Sequence, residues 1–353
     1  MSRSILIMAG GTGGHIFPAL AVADILRHDG WQVTWLGAPN SMEAELVPKH
    51  GFEMAMVRFS GLRGKGLLRK LMLPLNLMIA MWQSAVAMFR YRPDVVLGMG
   101  GYITFPGGLM AAMLRRPLVI HEQNSVAGLS NKVLARLAQK VLSGFPNVLP
   151  NAQWCGNPVR GSIADIADPM QRYAQRIGRL NVLVVGGSLG ARALNEAMPE
   201  ALAKLPKVLR PNVLHQTGRV HHAGVEDLYR QAGVEADIRP FIDDMAKSYA
   251  EADLVICRSG ALTVAEIACA GVASLLIPFP FAVDDHQTHN ARFLSEQGAA
   301  ILLPQSELNV DKLAGLLGEL TRETLSVMAQ QARRLAKSDA ADTVAGVCRG
   351  VAG

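Results

Sequence analysis

The run Ile5-Leu6-Ile7-Met8-Ala9 leads into Gly10-Gly11-Thr12-Gly13-Gly14-His15, and half a chain later Asn181-Val182-Leu183-Val184-Val185 leads into Gly186-Gly187-Ser188-Leu189-Gly190. A short unbroken apolar run closed by glycines is the pattern of a parallel strand buried on both faces. Helical spacing follows each loop. In the first half the expected helix opens at Pro18, carries Val22, Ile25 and Leu26, and stops at Asp29-Gly30. Further apolar runs at Gln32–Leu36, Val95–Leu97, Leu118–Ile120, Asn212–Gln216, Asp237–Ile242, Leu254–Cys257 and Ser274–Pro278 alternate with helical segments such as Leu262–Ala270 and His286–Gln297. Such alternation builds doubly wound parallel sheets. Its restart predicts two Rossmann-like α/β domains, residues 1–158 and 159–337, joined near Asn151–Ser162. A closing helix, about Ala341–Val351, is expected to return to the first domain, so that 338–353 belongs with it.

At 353 residues the chain exceeds the ~250–300 at which a single core stops growing. Half its residues are apolar, which excludes a disordered or fibrous chain. Lysine and arginine outnumber the acids 35 to 29, and the net charge of +6 suits an anionic partner such as a phosphate-bearing substrate or an acidic membrane surface. Aromatic residues, at 5%, are too few for a base-stacking surface, so no nucleic-acid partner is expected. Cys155, Cys257, Cys269 and Cys348 fit neither a metal-ligand spacing nor a disulfide ladder, and read as reduced, buried thiols of a cytosolic protein. The apolar run after Ser4 is too short for a signal peptide. The most apolar stretch, Leu67–Phe89, is broken by Arg69, Lys70, Pro74, Asn76 and Gln83, short of the ~18–20 residues a bilayer needs.

A glycine loop between a strand and a helix turns bare N–H groups toward an anion at the positive helix end. Three such loops occur: Gly10–Gly14, Gly98–Gly101 with Gly107-Gly108 beyond, and Gly186–Gly190. A dinucleotide fingerprint fails, because Ile16 stands where its last glycine should be and Thr34-Trp35-Leu36-Gly37 offers no acid for a ribose. A P-loop fails as well, since no Gly-Lys-Ser/Thr follows any loop. His15, at the start of a helix inside the first loop, is placed to take a proton beside a bound anion. A capping histidine is the competing reading. Ser259-Gly260-Ala261-Leu262-Thr263-Val264-Ala265-Glu266 is a fourth junction, with Glu266 one turn in, within reach of a ribose diol; an acid favoured by the helix dipole is the alternative. Asp284-Asp285-His286-Gln287-Thr288-His289 could ligate a metal, but reads better as aspartates capping a helix from His286, and Asp243-Asp244 reads as a cap too. No Asp-x-Asp closes a strand to hold a nucleotide-bound metal.

Taken together, Gly10–His15, Ser60-Gly61-Leu62-Arg63-Gly64-Lys65-Gly66, Gly98-Met99-Gly100-Gly101-Tyr102, His121-Glu122-Gln123-Asn124, Gly156-Asn157-Pro158-Val159-Arg160, Gly186-Gly187-Ser188 and Ser259–Glu266 resemble, in order and over the whole chain, the bacterial peptidoglycan N-acetylglucosaminyltransferases of glycosyltransferase family 28. The resemblance implies a GT-B fold, two Rossmann-like domains facing across a cleft, and transfer of GlcNAc from UDP-GlcNAc to lipid I (undecaprenyl-pyrophosphoryl-MurNAc-pentapeptide) to give lipid II. It implies donor contacts at Ser188, Ile242, Ala261, Leu262, Thr263, Val264, Ala265, Glu266 and Gln287, with Ile242 meeting uracil through its backbone, Glu266 the ribose and Gln287 the GlcNAc hydroxyls. Thr12, Gly13, Gly14, Asn124 and Arg160 match further donor positions. Gly10, Gly11, Gly100, Gly101 and Tyr102 match positions facing the acceptor's diphosphate. Leu189 and Phe281 depart from the family's usual glutamine and histidine.

The reaction so implied is one inverting displacement, in which the acceptor's 4-hydroxyl attacks opposite UDP. Charge grows on the diphosphate, where fixed N–H groups and a helix dipole stabilise it, so no metal is required and Mg2+ stimulation is left open. His15 is the expected general base and Glu122 the second candidate. Because lipid I is membrane-bound, the enzyme is expected on the cytoplasmic face of the inner membrane as a peripheral protein. Leu71, Leu75, Ile79 and Trp82, with Arg69 and Lys70, would meet anionic inner-leaflet lipids. Proteins of cell-wall synthesis and division are expected partners. A UDP-GlcNAc 2-epimerase of the same fold and a silent assembly scaffold are the competing functions.

Overall fold

The computed structural model describes residues 2–59, 72–187 and 190–353. Two compact units emerge: Met1–Arg160 with Ser338–Gly353, and Gly161–Lys337.

The first unit is built on β1 (Ser4–Met8), β2 (Gln32–Gly37), β3 (Glu53–Met56), β4 (Val95–Gly98), β5 (Leu118–Glu122), β6 (Lys140–Ser143) and β7 (Gln153–Trp154). They form one parallel sheet in the order β3-β2-β1-β4-β5-β6-β7. Successive β1 side chains enter opposite layers, as strand geometry requires. Ile5 and Ile7 pack with Leu20, Leu26 and the closing helix's Val344, Ala345 and Cys348. Leu6 and Met8 pack with Val96, Ile120 and Met88. Both faces of the sheet are thereby covered, which is why its strands read as apolar runs.

The second unit repeats the plan with β8 (Asn181–Val185), β9 (Asn212–Gln216), β10 (Asp237–Arg239), β11 (Leu254–Cys257), β12 (Ala273–Leu276) and β13 (Ile301–Leu302), ordered β10-β9-β8-β11-β12-β13. Every pair is parallel. Each sheet reverses its winding beside its first strand, between β1 and β4 and between β8 and β11. Open α/β sheets bind ligands at that place, beyond the strands' carboxyl ends.

One helix boundary departs from expectation. The helix after β1 runs Gly13–His28, with Pro18 inside it rather than at its opening. The turn ahead of Pro18 is closed by the N–H groups of His15 and Ile16, which both donate to the Thr12 carbonyl, at 3.1 and 3.2 Å. His15 is thus part of the first helical turn.

Candidate functional site

In the first unit the loops after β1 and β4 lie on each other. Gly101 has φ +86°, and a Cβ there would run into the Gly10 carbonyl oxygen, so only glycine lets the loops touch. Three side chains pin this crossing. Trp35 donates its indole N–H to the Ala9 carbonyl at 2.9 Å. The Thr104 hydroxyl lies 2.7 Å from the Gly100 carbonyl and 3.2 Å from that of Met8. Glu43, fully buried, accepts from the Gly11 N–H at 3.0 Å and the Ala38 N–H at 3.2 Å. Tyr102 packs over Gly11, its phenol pKa raised by burial and then by the Glu43 charge. The N–H groups of Gly13 and Gly14 precede the first intrahelical bonds, so they face outward from a positive helix end. Thr12 is the N-cap, and its side chain caps nothing.

His15 Nδ1 lies 3.0 Å from Gln123 Oε1. Gln123 Nε2 lies 3.3 Å from His121 Nδ1, and His121 Nε2 lies 2.9 Å from the Gly156 carbonyl oxygen. Burial drives the His121 pKa down to about 4, against the Gly156 bond, which favours the charged ring. Glu122 is buried beside this chain of contacts. One of its carboxylate oxygens accepts from the Asn124 N–H at 3.0 Å, the other from the Gly128 N–H at 3.1 Å and Asn131 Nδ2 at 2.9 Å. Its geometry therefore suits holding the 124–131 loop, and with it Asn124, rather than moving a proton. Arg160 is exposed, with its guanidinium 5.9 Å from the Phe17 ring centre.

The helix Leu73–Tyr91 buries small residues, Ala80, Ser84 and Ala87, with Met88, and turns Leu75, Met78, Ile79, Trp82, Val86 and Phe89 outward. Trp82 is 67% and Phe89 64% exposed, the reverse of a core helix. Arg90 and Arg92 follow, both exposed. Arg69, Lys70, Leu71 and the 60–66 motif lie outside the described residues, as does Ser188. Among the described residues no helix is long and apolar enough to cross a membrane.

In the second unit the helix Ala261–Ala270 begins on Gly260, directly beyond β11 at the winding reversal. Glu266 lies inside it, buried, and accepts from the Tyr249 hydroxyl at 3.1 Å. Its charge adds to burial in pushing the Cys257 thiol up to about 12, which leaves that cysteine unreactive. Ser259 donates to the Gln287 carbonyl at 2.8 Å, and Gln287 Oε1 accepts from the Phe279 N–H at 2.9 Å. The side-chain NH2 is thus the group Gln287 can present. The Ile242 N–H donates to Gln216 Oε1 at 3.0 Å, so a backbone contact from Ile242 to a base must use its carbonyl.

The acidic run after β12 is arranged differently from expectation. Asp284 and Asp285 both take left-handed φ, and the Asp285 carboxylate accepts from the Thr288 hydroxyl at 2.7 Å instead of capping backbone N–H groups. Asp244 does cap its helix, accepting from the Lys247 N–H at 2.9 Å. Among the described residues no three His, Cys, Asp or Glu side chains gather as a metal site.

Sequence reading gave no role to Glu43, Gln123, Tyr249 or Arg258. Arg258 donates to the carbonyls of Ile277 and Pro278 at 3.1 and 3.0 Å and to Gln305 at 2.6 Å, fixing the chain beyond β12. In sequence Glu43 looks like any acid in a helix's first turn, and the other three reveal themselves only by contacts far along the chain.

The N-terminal domain of glycosyltransferase family 28 matches residues 5–143, and the C-terminal domain of the same family matches residues 181–345. A UDP-N-acetylglucosamine--N-acetylmuramyl-(pentapeptide) pyrophosphoryl-undecaprenol N-acetylglucosamine transferase of Azoarcus sp. (strain BH72) is 60% identical over 350 residues, 99% of this chain and 98% of that one. A protein of the same description from Cupriavidus metallidurans is 60% identical over 352 residues, 100% of this chain and 99% of that one. The crystal structure of Acinetobacter baumannii MurG superposes with a TM-score of 0.87 at 42% identity, covering 99% of both chains. With both family domains in order and relatives this similar from end to end, the chain belongs to glycosyltransferase family 28, among its MurG-type N-acetylglucosamine transferases.

Proposed function

We propose that this chain transfers GlcNAc from UDP-GlcNAc to the 4-hydroxyl of MurNAc in lipid I, with inversion, to give lipid II. The observation that carries this is the end-to-end identity of 60% to transferases of that description. In this reading the second unit holds the donor. The N–H groups at the start of Ala261–Ala270 meet the nucleotide's phosphates, and Glu266 takes the ribose hydroxyls. The Ile242 carbonyl accepts from the uracil ring N–H, and the Gln287 NH2 reaches the GlcNAc hydroxyls. The first unit holds the acceptor diphosphate at Gly10, Gly100 and Gly101, beside Tyr102, while the Gly11 N–H, expected among these contacts, is taken by Glu43.

The acceptor oxygen attacks the anomeric carbon as its bond to UDP breaks, and His15 takes the hydroxyl proton. The negative charge leaves with UDP, where main-chain N–H groups and the helix dipole stabilise it. A metal is not required for that stabilisation, and turnover is expected to persist in EDTA, whether or not Mg2+ stimulates it. The apolar stripe of Leu73–Tyr91, with Arg90 and Arg92, seats the enzyme on the inner leaflet from the cytoplasmic side, each basic residue contributing ~1 kcal/mol near anionic headgroups. The expected signature is sedimentation with vesicles containing acidic lipid, weakened by Trp82→Ser; equal sedimentation with neutral vesicles would remove the docking surface.

The transfer is tested with UDP-[14C]GlcNAc. Label should enter the lipid fraction, and UDP should appear, only when lipid I is supplied. A 2-epimerase would act on UDP-GlcNAc alone, and a scaffold would release nothing.

A further inference from the structure

The hydrogen bonds running from Gly156 to His15 admit one consistent assignment of protons. The Gly156 carbonyl can only accept, so His121 carries its proton on Nε2. The buried ring is neutral near pH 7, which leaves Nδ1 as a lone pair. Only an N–H can face that lone pair, so the Gln123 amide points its NH2 at His121. The other end of the same amide is then oxygen, and it faces His15 Nδ1 at 3.0 Å. An oxygen there requires a proton on Nδ1. The neutral His15 ring keeps its lone pair on Nε2, and among the described residues Nε2 makes no hydrogen bond.

We propose that Gln123, oriented by His121, fixes His15 in the Nδ1–H tautomer, so that Nε2 is the atom that accepts the proton of the attacking hydroxyl. Gln123 and His121 are then positioning residues for the transfer. The proposal deepens the reading of His15 as base and rests on it. An imidazole in water prefers the opposite tautomer, and the partner of one ring nitrogen decides the state of the other. The second glycine loop covers the contact. A Cβ on Gly100 would stand 2.7 Å from His15 Nδ1 and 2.9 Å from Gln123 Oε1, so this glycine, at φ +90°, lets the loop pass over the bond and shield it from water. Gln123 itself is 1% exposed.

The test is the ring-nitrogen spectrum of His15 in the full chain labelled with 15N-histidine, read by long-range 1H–15N correlation and assigned by its loss in His15→Asn. In the native chain Nδ1 should be protonated and Nε2 should carry the lone pair. Gln123→Met should move His15 toward Nε2–H and lower kcat roughly 10- to 100-fold with donor KM unchanged, a part of what a mis-set catalytic histidine loses. Gln123→Glu, which keeps an acceptor facing His15 but gives up the N–H facing His121, should retain the Nδ1–H form of His15. A proton on Nε2 in the native chain overturns the assignment whatever the variants do, as does a Gln123→Met enzyme with unchanged tautomer and rate. His15→Ala at full rate would instead remove the base reading while the native tautomer stayed as assigned, so the two failures are separable.

Discussion

The two units share a strand order but spend their buried histidines differently. His121, on β5, is linked outward through Gln123 to His15, in the first turn of the helix that follows β1. His215, on β9, is closed inward. Its Nδ1 meets the Tyr229 hydroxyl at 2.9 Å and its Nε2 meets Asn195 Oδ1 at 3.1 Å, while Asn195 Nδ2 donates to the Thr217 carbonyl at 3.0 Å. Burial holds its pKa down to about 3. Both networks brace a glycine loop: the first ends on His15, the second on the Thr217 carbonyl against which Gly190 packs. In the proposed reading the second unit contributes main-chain amides and the buried Glu266 to donor binding. Under that reading one fold, used twice, carries binding in both copies and proton transfer in one.

This contrast can be broken most sharply at His15. His15→Ala should lower kcat by ~10²–10⁴, the usual worth of a positioned base. Unchanged kcat and an unchanged pH profile would dissolve the distinction between the units. The complementary change is His215→Leu. It strands Asn195 Oδ1 and the Tyr229 hydroxyl, and should reduce unfolding free energy by ~1–3 kcal/mol in urea while leaving kcat of the folded enzyme intact. A selective fall in kcat would mean that the second network also serves the chemistry.

A smaller effect comes with acid. Both histidines titrate lower in the folded chain than the ordinary 6.5, so between about 6.5 and about 4 the unfolded chain binds more protons. Their contribution to stability is whole above that window and is lost as pH falls through it, at up to ~1.4 kcal/mol per pH unit each. His215→Leu should flatten the slope by its share. A stability independent of pH across the window would place these rings in water rather than in the core.

Most of the architecture could be read from residue order, because strands covered on both faces must be apolar throughout and the turns between strand and helix demand glycine. The repeat at Gly186, the fold of each half and the glycine loops at the strand ends all follow from that constraint. Pro18 misled because proline usually marks a helix's first turn; here the turn before it is closed on Thr12. Glu266 stood out by its place after Ser259-Gly260, a local signal. Gln123 did not, since its two partners, His15 and His121, define its role only once the loops are folded together. Asp285 was misread for a similar reason: its left-handed backbone, not its side-chain type, decides that it cannot serve as an ordinary cap.

The division of labour is open to one direct reading, the equilibrium affinity for UDP-GlcNAc measured by calorimetry on the native chain, Glu266→Ala and His15→Ala. Glu266→Ala should weaken donor binding roughly 10- to 100-fold, as expected for hydrogen bonds to a charged group, whereas His15→Ala should bind the donor as tightly as the native chain. Loss of donor affinity in His15→Ala with none in Glu266→Ala would contradict the assignment of donor binding and proton transfer to different halves of the molecule.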